Sequence, residues 1–391
     1  MDVRKFVSSR SSSVTLPGIR RMLQKAEGIQ DIVSFALGEP DFDTPDHIKD
    51  AAFKALKEGF TKYTSNWGIP ELRNAIAKKL KTENNLSVDP KTEVFVTAGA
   101  QEALYLIFQA FIDPGEEVIA TDPCYHSYPR MIELAGGKPT YIALSEREDF
   151  RLHIDELERR ISEKTKIILL NSPQNPTGSV LELNDLERLA GLAERRNLLV
   201  VTDEVYEKLV YDATHVSIAS LPGMLDRTIT VNGFSKTYAM TGWRIGYCVG
   251  RKSLLDEMVK THSYSVTSAN SIAQKAAVAA LEGSQKCVAD MVSEFAKRRD
   301  YVVRRMKEID GVYCPLPRGA FYVFPNFSKF RRRSFELAEY LLTEAKIITV
   351  PGVEYGPSND FHLRLSFATS MKNLETGLNR LEAALDKLST D

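Results

Sequence analysis

A doubly wound, mostly parallel α/β sheet joined to a smaller α+β unit is the fold class this sequence predicts, and three observations carry it. From about residue 93 to 250, short β-branched runs alternate with amphipathic helical patterns, which is how parallel strands with helical crossovers read in a sequence. The 391 residues exceed the ~250–300 at which a single core stops growing. Two domains are therefore expected, 45–285 as the large one and 1–44 with 286–391 as the small one. Beyond residue 286 the pattern changes to a long helix, isolated strand-like runs and a terminal helix. With 43% hydrophobic and 26% charged residues, the chain has the composition of an ordinary globular protein.

In chain order, Thr44 and Pro45 read as an N-cap and first helical position, opening a helix with Ile48, Ala52, Ala55 and Leu56 on one face. Seven strands follow at 93–97, 117–121, 138–144, 166–171, 198–204, 228–232 and 245–250. Between them lie helices such as 184–196, where Leu186, Leu189, Ala190 and Ala193 recur at helical spacing. Strands so connected form a sheet buried on both faces. A helix near 288–309, strands at 320–325, 347–350 and 361–367, and a C-terminal helix complete the second unit. The basic runs Lys297-Arg298-Arg299 and Arg331-Arg332-Arg333 read as solvated faces.

Lys and Arg number 51 against 52 Asp and Glu, a net charge of −1. That balance leaves no electrostatic footprint for nucleic acid or an anionic membrane, and it points to small-molecule or protein partners. Cys124, Cys248, Cys287 and Cys314 are too widely spaced for a metal-ligand pair or a dense disulfide framework, so reduced thiols and no metal are expected. The segment MDVRKFVSSRSSSV lacks an apolar core of signal-peptide length, and no apolar run approaches the ~18 residues of a membrane span. A cytoplasmic protein is the expectation.

Four strand ends carry the chemistry. VNGFSKTYAMTGWRIGY (231–247) sets Lys236 just beyond a buried strand and ahead of a Gly-Trp-Arg-Ile-Gly turn. Strand carboxyl ends border the ligand crevice of an open α/β sheet, and an amine desolvated there is a reactive nucleophile. Lys236 is thus a Schiff-base candidate, against the plainer reading of a surface loop lysine. TDEVY places Asp203 at the end of the LLVV run, followed by Tyr206. A carboxylate buried there needs a cation, for which a lysine or arginine of the fold would serve as well as a protonated ring nitrogen. At ~4 Å and an effective dielectric of ~20 the attraction is about 4 kcal/mol. In NSPQNPTG (171–178), otherwise a plain turn, Asn175 brings an amide donor to the same edge. TAGAQEAL (97–104) leads through Gly99 and Ala100 into a helix whose free amides and dipole favour an anion.

In order and spacing these motifs resemble the pyridoxal 5′-phosphate (PLP) dependent aminotransferases of class I, fold type I. The resemblance runs from GEPDFDTP (38–45) through YTSNWGIPELR (63–73), NSPQNPTG, DEVY and SKTYAMTGWRIG to HLRLS (362–366). It implies that Lys236 holds PLP as an imine, that Asp203 partners the ring nitrogen, and that Tyr206 and Asn175 donate to the ring hydroxyl. It also implies phosphate ligands in Arg244, Ser235 and the amides of Ala100 and Gln101 beyond Gly99, with Tyr125 stacked on the ring. Arg364 resembles the arginine that pairs with the substrate α-carboxylate, beside the backbone at Gly38 and within reach of Tyr125 and Asn175. Tyr63 resembles the tyrosine that reaches the phosphate of a neighbouring subunit's cofactor, which implies a homodimer. Two positions depart from the pattern. Gly233 stands where some members carry a phosphate-binding serine, and Gln101 where some bacterial aspartate-specific members carry lysine.

The implied reaction moves an amino group from an L-amino acid to 2-oxoglutarate by a ping-pong scheme, with aspartate the favoured donor. An aromatic or broad-specificity aminotransferase is the alternative, and a PLP lyase of the same fold a more distant one. A Rossmann dehydrogenase would share the alternation, but no G-x-G-x-x-G follows a strand here. A non-catalytic binding protein of this fold would need a damaged site, and no expected position is lost outright.

Overall fold

Buried aliphatic strands can satisfy their backbone polar groups only by pairing with one another. The computed structural model, which describes residues 1, 3–16 and 18–390, has twelve strands. They are β1 (Val33–Ser34), β2 (Val94–Thr97), β3 (Glu117–Asp122), β4 (Lys138–Ala143), β5 (Thr165–Asn171), β6 (Leu199–Asp203), β7 (Thr228–Gly233), β8 (Gly246–Val249), β9 (Tyr322–Val323), β10 (Ile347–Ile348), β11 (Val350–Pro351) and β12 (Leu363–Ser366). Seven form the main sheet in the order β2-β8-β7-β6-β5-β3-β4. Only β8 runs antiparallel to its neighbours. This is the seven-stranded, mostly parallel sheet expected, with every strand within one residue of its anticipated ends.

Successive side chains point to opposite faces, so the sheet needs cover on both. Phe95, Val118, Ile167, Val201, Val231 and Cys248 pack with residues of the Ala100–Phe111, Ser127–Leu134 and Lys252–Ser265 helices. On the other face, Ile119, Ile168, Leu170 and Val200 join the Leu183–Arg195 helix in one cluster. Val94, Val96, Tyr247 and Val249 join the Asp46–Lys57, Pro70–Glu83 and Ser271–Glu282 helices in another. The remaining strands make two small sheets: β1 pairs with β10 in parallel, and β11-β12-β9 is antiparallel with Val350 opposite Arg364. The Lys286–Glu308, Ser334–Ala345 and Met371–Thr390 helices cover them. No helix among the described residues is long and apolar enough to cross a membrane.

Several expectations need correction. The helix after Thr44 begins at Asp46, and Pro45 occupies the N-cap without a side-chain cap. Thr44 instead donates to the Ala239 carbonyl (2.6 Å) and accepts from Trp243 Nε1 (3.0 Å), so tertiary partners take the hydroxyl from the helix. Ile48, Ala52 and Ala55 are buried on that helix, but Leu56 is 52% exposed, because the covered stripe is narrower than its apolar pattern. Arg298 and Arg299 do not lie on a solvated face. Both are buried, Arg298 against Asp41 (2.7 Å) and Glu294 (3.1 Å), Arg299 against Asp212 and Asp300 (2.7 Å each). The run at 347–350 is two short strands in different sheets, and the runs at 320–325 and 361–367 form strands only over 322–323 and 363–366, with an isolated bridge from His362 to Asn326. Cys124, Cys248 and Cys314 are buried free thiols, Cys287 is half-buried, and burial, with the nearby Asp122 charge, pushes the Cys124 thiol up.

A buried polar knot braces the sheet near β7. Glu207 accepts from Lys79 Nζ, Asn84 Nδ2 (2.6 Å) and Asn232 Nδ2 (2.8 Å). Beside it Glu204 accepts from Ser217 (2.9 Å) and Thr202 (3.1 Å) and pairs with His215 Nε2 (3.1 Å). Glu204, Glu207 and His215 present ligand atoms within 4.8 Å of one another, but the Lys79 ammonium supplies the positive charge there. Burial opposes ionisation of Glu207, yet Lys79 holds its carboxyl down at about 2. Glu207→Gln should cost ~3–5 kcal/mol of stability, because it removes the close counter-ion of a buried ammonium and leaves only Glu83 at 3.8 Å. Urea unfolding would read this, and a loss below ~1 kcal/mol would contradict it. Since the folded-state value lies below the ordinary 4.5, the contribution is complete above about pH 4.5 and is lost as pH falls towards 2.

Candidate active site

The parallel strands point their carboxyl ends at one edge of the sheet, where a cavity of about 280 Å³ opens. Its walls include Gly38, Ala100, Gln101, Tyr125, Asn175, Asp203, Tyr206, Ser235, Lys236, Arg244 and Arg364, gathered from five strand ends and the second unit. Lys236 follows β7, and its Nζ donates to the Gly38 carbonyl (2.5 Å). Burial, joined by the charges of Arg364 and Arg244 and opposed by Glu39 and Asp203, brings this ammonium down to about 8.

Asp203 closes β6 and is 5% exposed. Tyr128 Oη donates to its Oδ2 (2.7 Å) and the Val205 amide to its Oδ1 (3.3 Å). Burial nonetheless pushes the carboxyl up to about 6. A cation set against Asp203 would reverse that shift. At the other end, β2 turns through Gly99 (φ 82°) into the Ala100–Phe111 helix, with no side chain capping it. The Ala100 and Gln101 amides lie in the first turn, where helices lack internal acceptors. Arg244 Nη2 packs so closely that a Cβ on Gly99 would sit 2.7 Å from it. Arg244 adopts a left-handed backbone (φ 53°), and its Nη1 donates to the Thr241 carbonyl (2.9 Å). Non-glycine residues held this way cluster at functional sites.

Arg364, on β12, is buried in the same cavity wall. Its Nη1 donates to Asn175 Oδ1 (3.2 Å) and its Nη2 to the Ala36 carbonyl (2.5 Å), over the ring of Tyr322 (4.4 Å). Its Nε is buried without a partner. Tyr206 Oη meets Tyr322 Oη (2.8 Å), and Tyr125 Oη donates to Gln101 Oε1 (3.3 Å). Tyr63 lies outside the cavity, 87% exposed.

Three aromatic wall residues are among those that escaped the sequence reading. Tyr128 and Tyr322 orient Asp203 and Tyr206, and His126, held down at about 4 by burial and then by Arg364, is neutral beside Tyr125. The spacing of Tyr125 and Tyr128, one helical turn apart in CYHSYPR, was the available signal for the first; nothing local marks Tyr322 in AFYVF.

This arrangement fits PLP. An arginine and free helix amides suit a phosphate, a buried carboxylate suits a ring cation, an amine near 8 suits an aldehyde, and an unpartnered guanidinium N–H suits a carboxylate. The sequence profile of aminotransferase class I and II matches residues 30–381. The chain belongs to this family. An aspartate aminotransferase of Pyrococcus abyssi is 45% identical over 97% of this chain and 98% of its own length. The aromatic-amino-acid aminotransferase 2 of Thermococcus litoralis is 42% identical over the same shares. The solved aspartate aminotransferase of Thermus thermophilus with maleate superposes with a TM-score of 0.93 at 40% identity, covering 97% of this chain and 99% of that one. As an aminotransferase of this family, the protein is PLP-dependent.

Because the Lys236 value is lowered, the neutral amine forms earlier on the alkaline side. Capture of added PLP by the cofactor-stripped aminotransferase, followed by its imine absorbance, should accelerate with an inflection near pH 8. An inflection at the ordinary 10.5 would contradict the burial argument.

Proposed function

We propose that this aminotransferase prefers aspartate as amino donor and 2-oxoglutarate as acceptor, working by a ping-pong mechanism as a cytoplasmic homodimer. The observation that carries the residue assignment is the meeting in one cavity of Lys236, Asp203 and Arg364. When bound, PLP supplies an electron sink that acidifies the substrate Cα–H bond and carries the amino group between the two half-reactions. Lys236, held by the Gly38 carbonyl, is the base that takes the proton from Cα of the amino acid in one half-reaction and delivers one to Cα of the oxo acid in the other. Asp203, oriented by Tyr128, keeps the ring nitrogen protonated. Tyr206 and Asn175 would donate to the ring hydroxyl, and Tyr125 would pack against the ring. Arg244, Ser235 and the amides of Ala100 and Gln101 would hold the phosphate. The Arg364 fork takes the α-carboxylate of amino and oxo acids alike, which a lysine's point charge does not reproduce. We assign 45–285 to the cofactor-binding domain, and 1–44 with 286–391 to the smaller one.

Aspartate is supported by the names of full-length relatives at 40–45% identity. An aromatic donor is the second reading, favoured by the uncharged Gln101, Leu104 and Ile19 in the cavity wall and by the aromatic-amino-acid relative. Screening the twenty amino acids against 2-oxoglutarate decides between them. Aspartate should give the highest kcat/KM, and a higher value for tyrosine or phenylalanine would reverse the assignment.

Tyr63 stands exposed on a loop pinned after it by Gln274, which donates to Thr64 Oγ1 (2.9 Å) and accepts from the Ile69 amide (2.7 Å), and before it by Ser271 Oγ, which donates to the Phe60 carbonyl (3.0 Å). A rigid loop presenting an exposed tyrosine supports its reaching a second copy's phosphate. In a mixed dimer, one subunit carrying Lys236→Ala and the other Tyr63→Phe, one site then holds both defects and the other neither. About half of wild-type dimer activity is expected. Activity equal to that of a Tyr63→Phe site would place Tyr63 in its own subunit.

A further inference from the structure

Asp122, at the last position of β3, is a buried carboxylate, 2% exposed, that the chemistry above does not use. Its Oδ2 accepts from the amide (3.2 Å) and hydroxyl (2.7 Å) of Ser358, and its Oδ1 from Asn359 Nδ2 (2.5 Å). No cation contributes to this cluster of donors. The fit is close: a Cβ on Gly356 (φ 147°) would come within 1.9 Å of Asp122 Oδ1, so a side chain there would evict the carboxylate.

What this contact joins gives it meaning. On one side, Asp122 leads through Pro123 and Cys124 to Tyr125, and the Cys124 amide donates to the Tyr355 carbonyl (2.8 Å). On the other, the 355–359 turn places the Tyr355 ring 5.4 Å from the Arg364 guanidinium. The Asn359 carbonyl accepts from the His362 amide (3.0 Å) just before β12, the strand that carries Arg364. A third link closes the circuit. Gln174 Nε2 donates to Thr121 Oγ1 (2.9 Å) and to the Pro123 carbonyl (3.2 Å), and the adjacent Asn175 accepts from Arg364 (3.2 Å). Tyr125 and Arg364, which lie far apart in the chain, are therefore held in register by one ring of hydrogen bonds.

We propose that Asp122 is a positioning residue for substrate binding, setting the Arg364 fork relative to Tyr125 through Ser358 and Asn359. It acts through those residues and touches no substrate. Asparagine has the same shape, but one end of it donates, so at least one of the three donors facing Asp122 meets another donor. The phosphate contacts and Asp203 lie on other strand ends and stay as they are.

The test uses PLP-loaded Asp122→Asn, with the amino-acid half-reaction followed in single turnovers by the cofactor's absorbance. The substrate half-saturation should rise about tenfold, while the limiting rate stays within threefold and the PLP dissociation constant within twofold. Ser358→Ala, which removes one donor only, should raise half-saturation about threefold, and the double variant should be no worse than Asp122→Asn alone. Unchanged half-saturation with a lowered Tm would overturn the proposal, since a bracing role predicts that result. A parallel loss of PLP affinity would overturn it too. The inference rests on Arg364 being the carboxylate fork, so Arg364→Lys runs beside it. If Arg364→Lys leaves half-saturation unchanged, that assignment fails. If Arg364→Lys is impaired and Asp122→Asn is not, only the present inference fails.

Discussion

Keeping Asp203 ionised at the end of a buried strand is the demand around which much of this molecule is arranged. A carboxylate there loses its hydration, and its value climbs to about 6 even with a tyrosine hydroxyl and a backbone amide donating to it. A permanent lysine partner would stabilise it but would also fill the position a ring nitrogen has to take. The fold supplies neutral donors instead, which orient the carboxylate without discharging it. Just beyond the same strand the opposite choice is made: Lys79 sits directly on Glu207, and that carboxyl is held down at about 2. The two acids lie four residues apart, one paired and structural, the other left for a visiting cation.

The same economy governs the rest of the cavity. Lys236 is bound to a carbonyl rather than to a carboxylate, so burial lowers its value unopposed by a close ion pair. Arg364 is fixed by neutral oxygens of Asn175 and Ala36 and by the face of Tyr322, so its full charge remains available to a substrate carboxylate. Each charged group is thus held by dipoles and rings, and none is cancelled.

The groups that carry this chemistry were legible because they follow apolar strands whose ends are marked by Gly, Pro or Asp, as in LLVVTDEVY and VNGFSKTY. The supporting shell was not. Tyr322 lies in a strand of the second unit, and only folding brings it onto Tyr206 and Arg364. Thr44 shows local logic yielding to tertiary contact, since a hydroxyl suited to cap a helix binds Ala239 and Trp243 instead. Arg298 and Arg299 mislead for a related reason: a basic run looks solvated until Asp41 and Asp212, distant in sequence, fold over it. Periodicity registers which face is apolar, but not which acids will arrive.

The burial of Cys124 has a chemical consequence of its own. It is the residue next to Tyr125, so its sulfur is the soft nucleophile nearest in sequence to a site built to receive an aldehyde. At 2% exposure, and with its thiol pushed up by burial and by the charge of Asp122, it stays protonated and out of reach. A thiolate there would compete with Lys236 for the carbonyl carbon and draw in oxidants and alkylating metabolites. Chemoselectivity for nitrogen over sulfur is therefore secured by packing, before any step of the reaction begins.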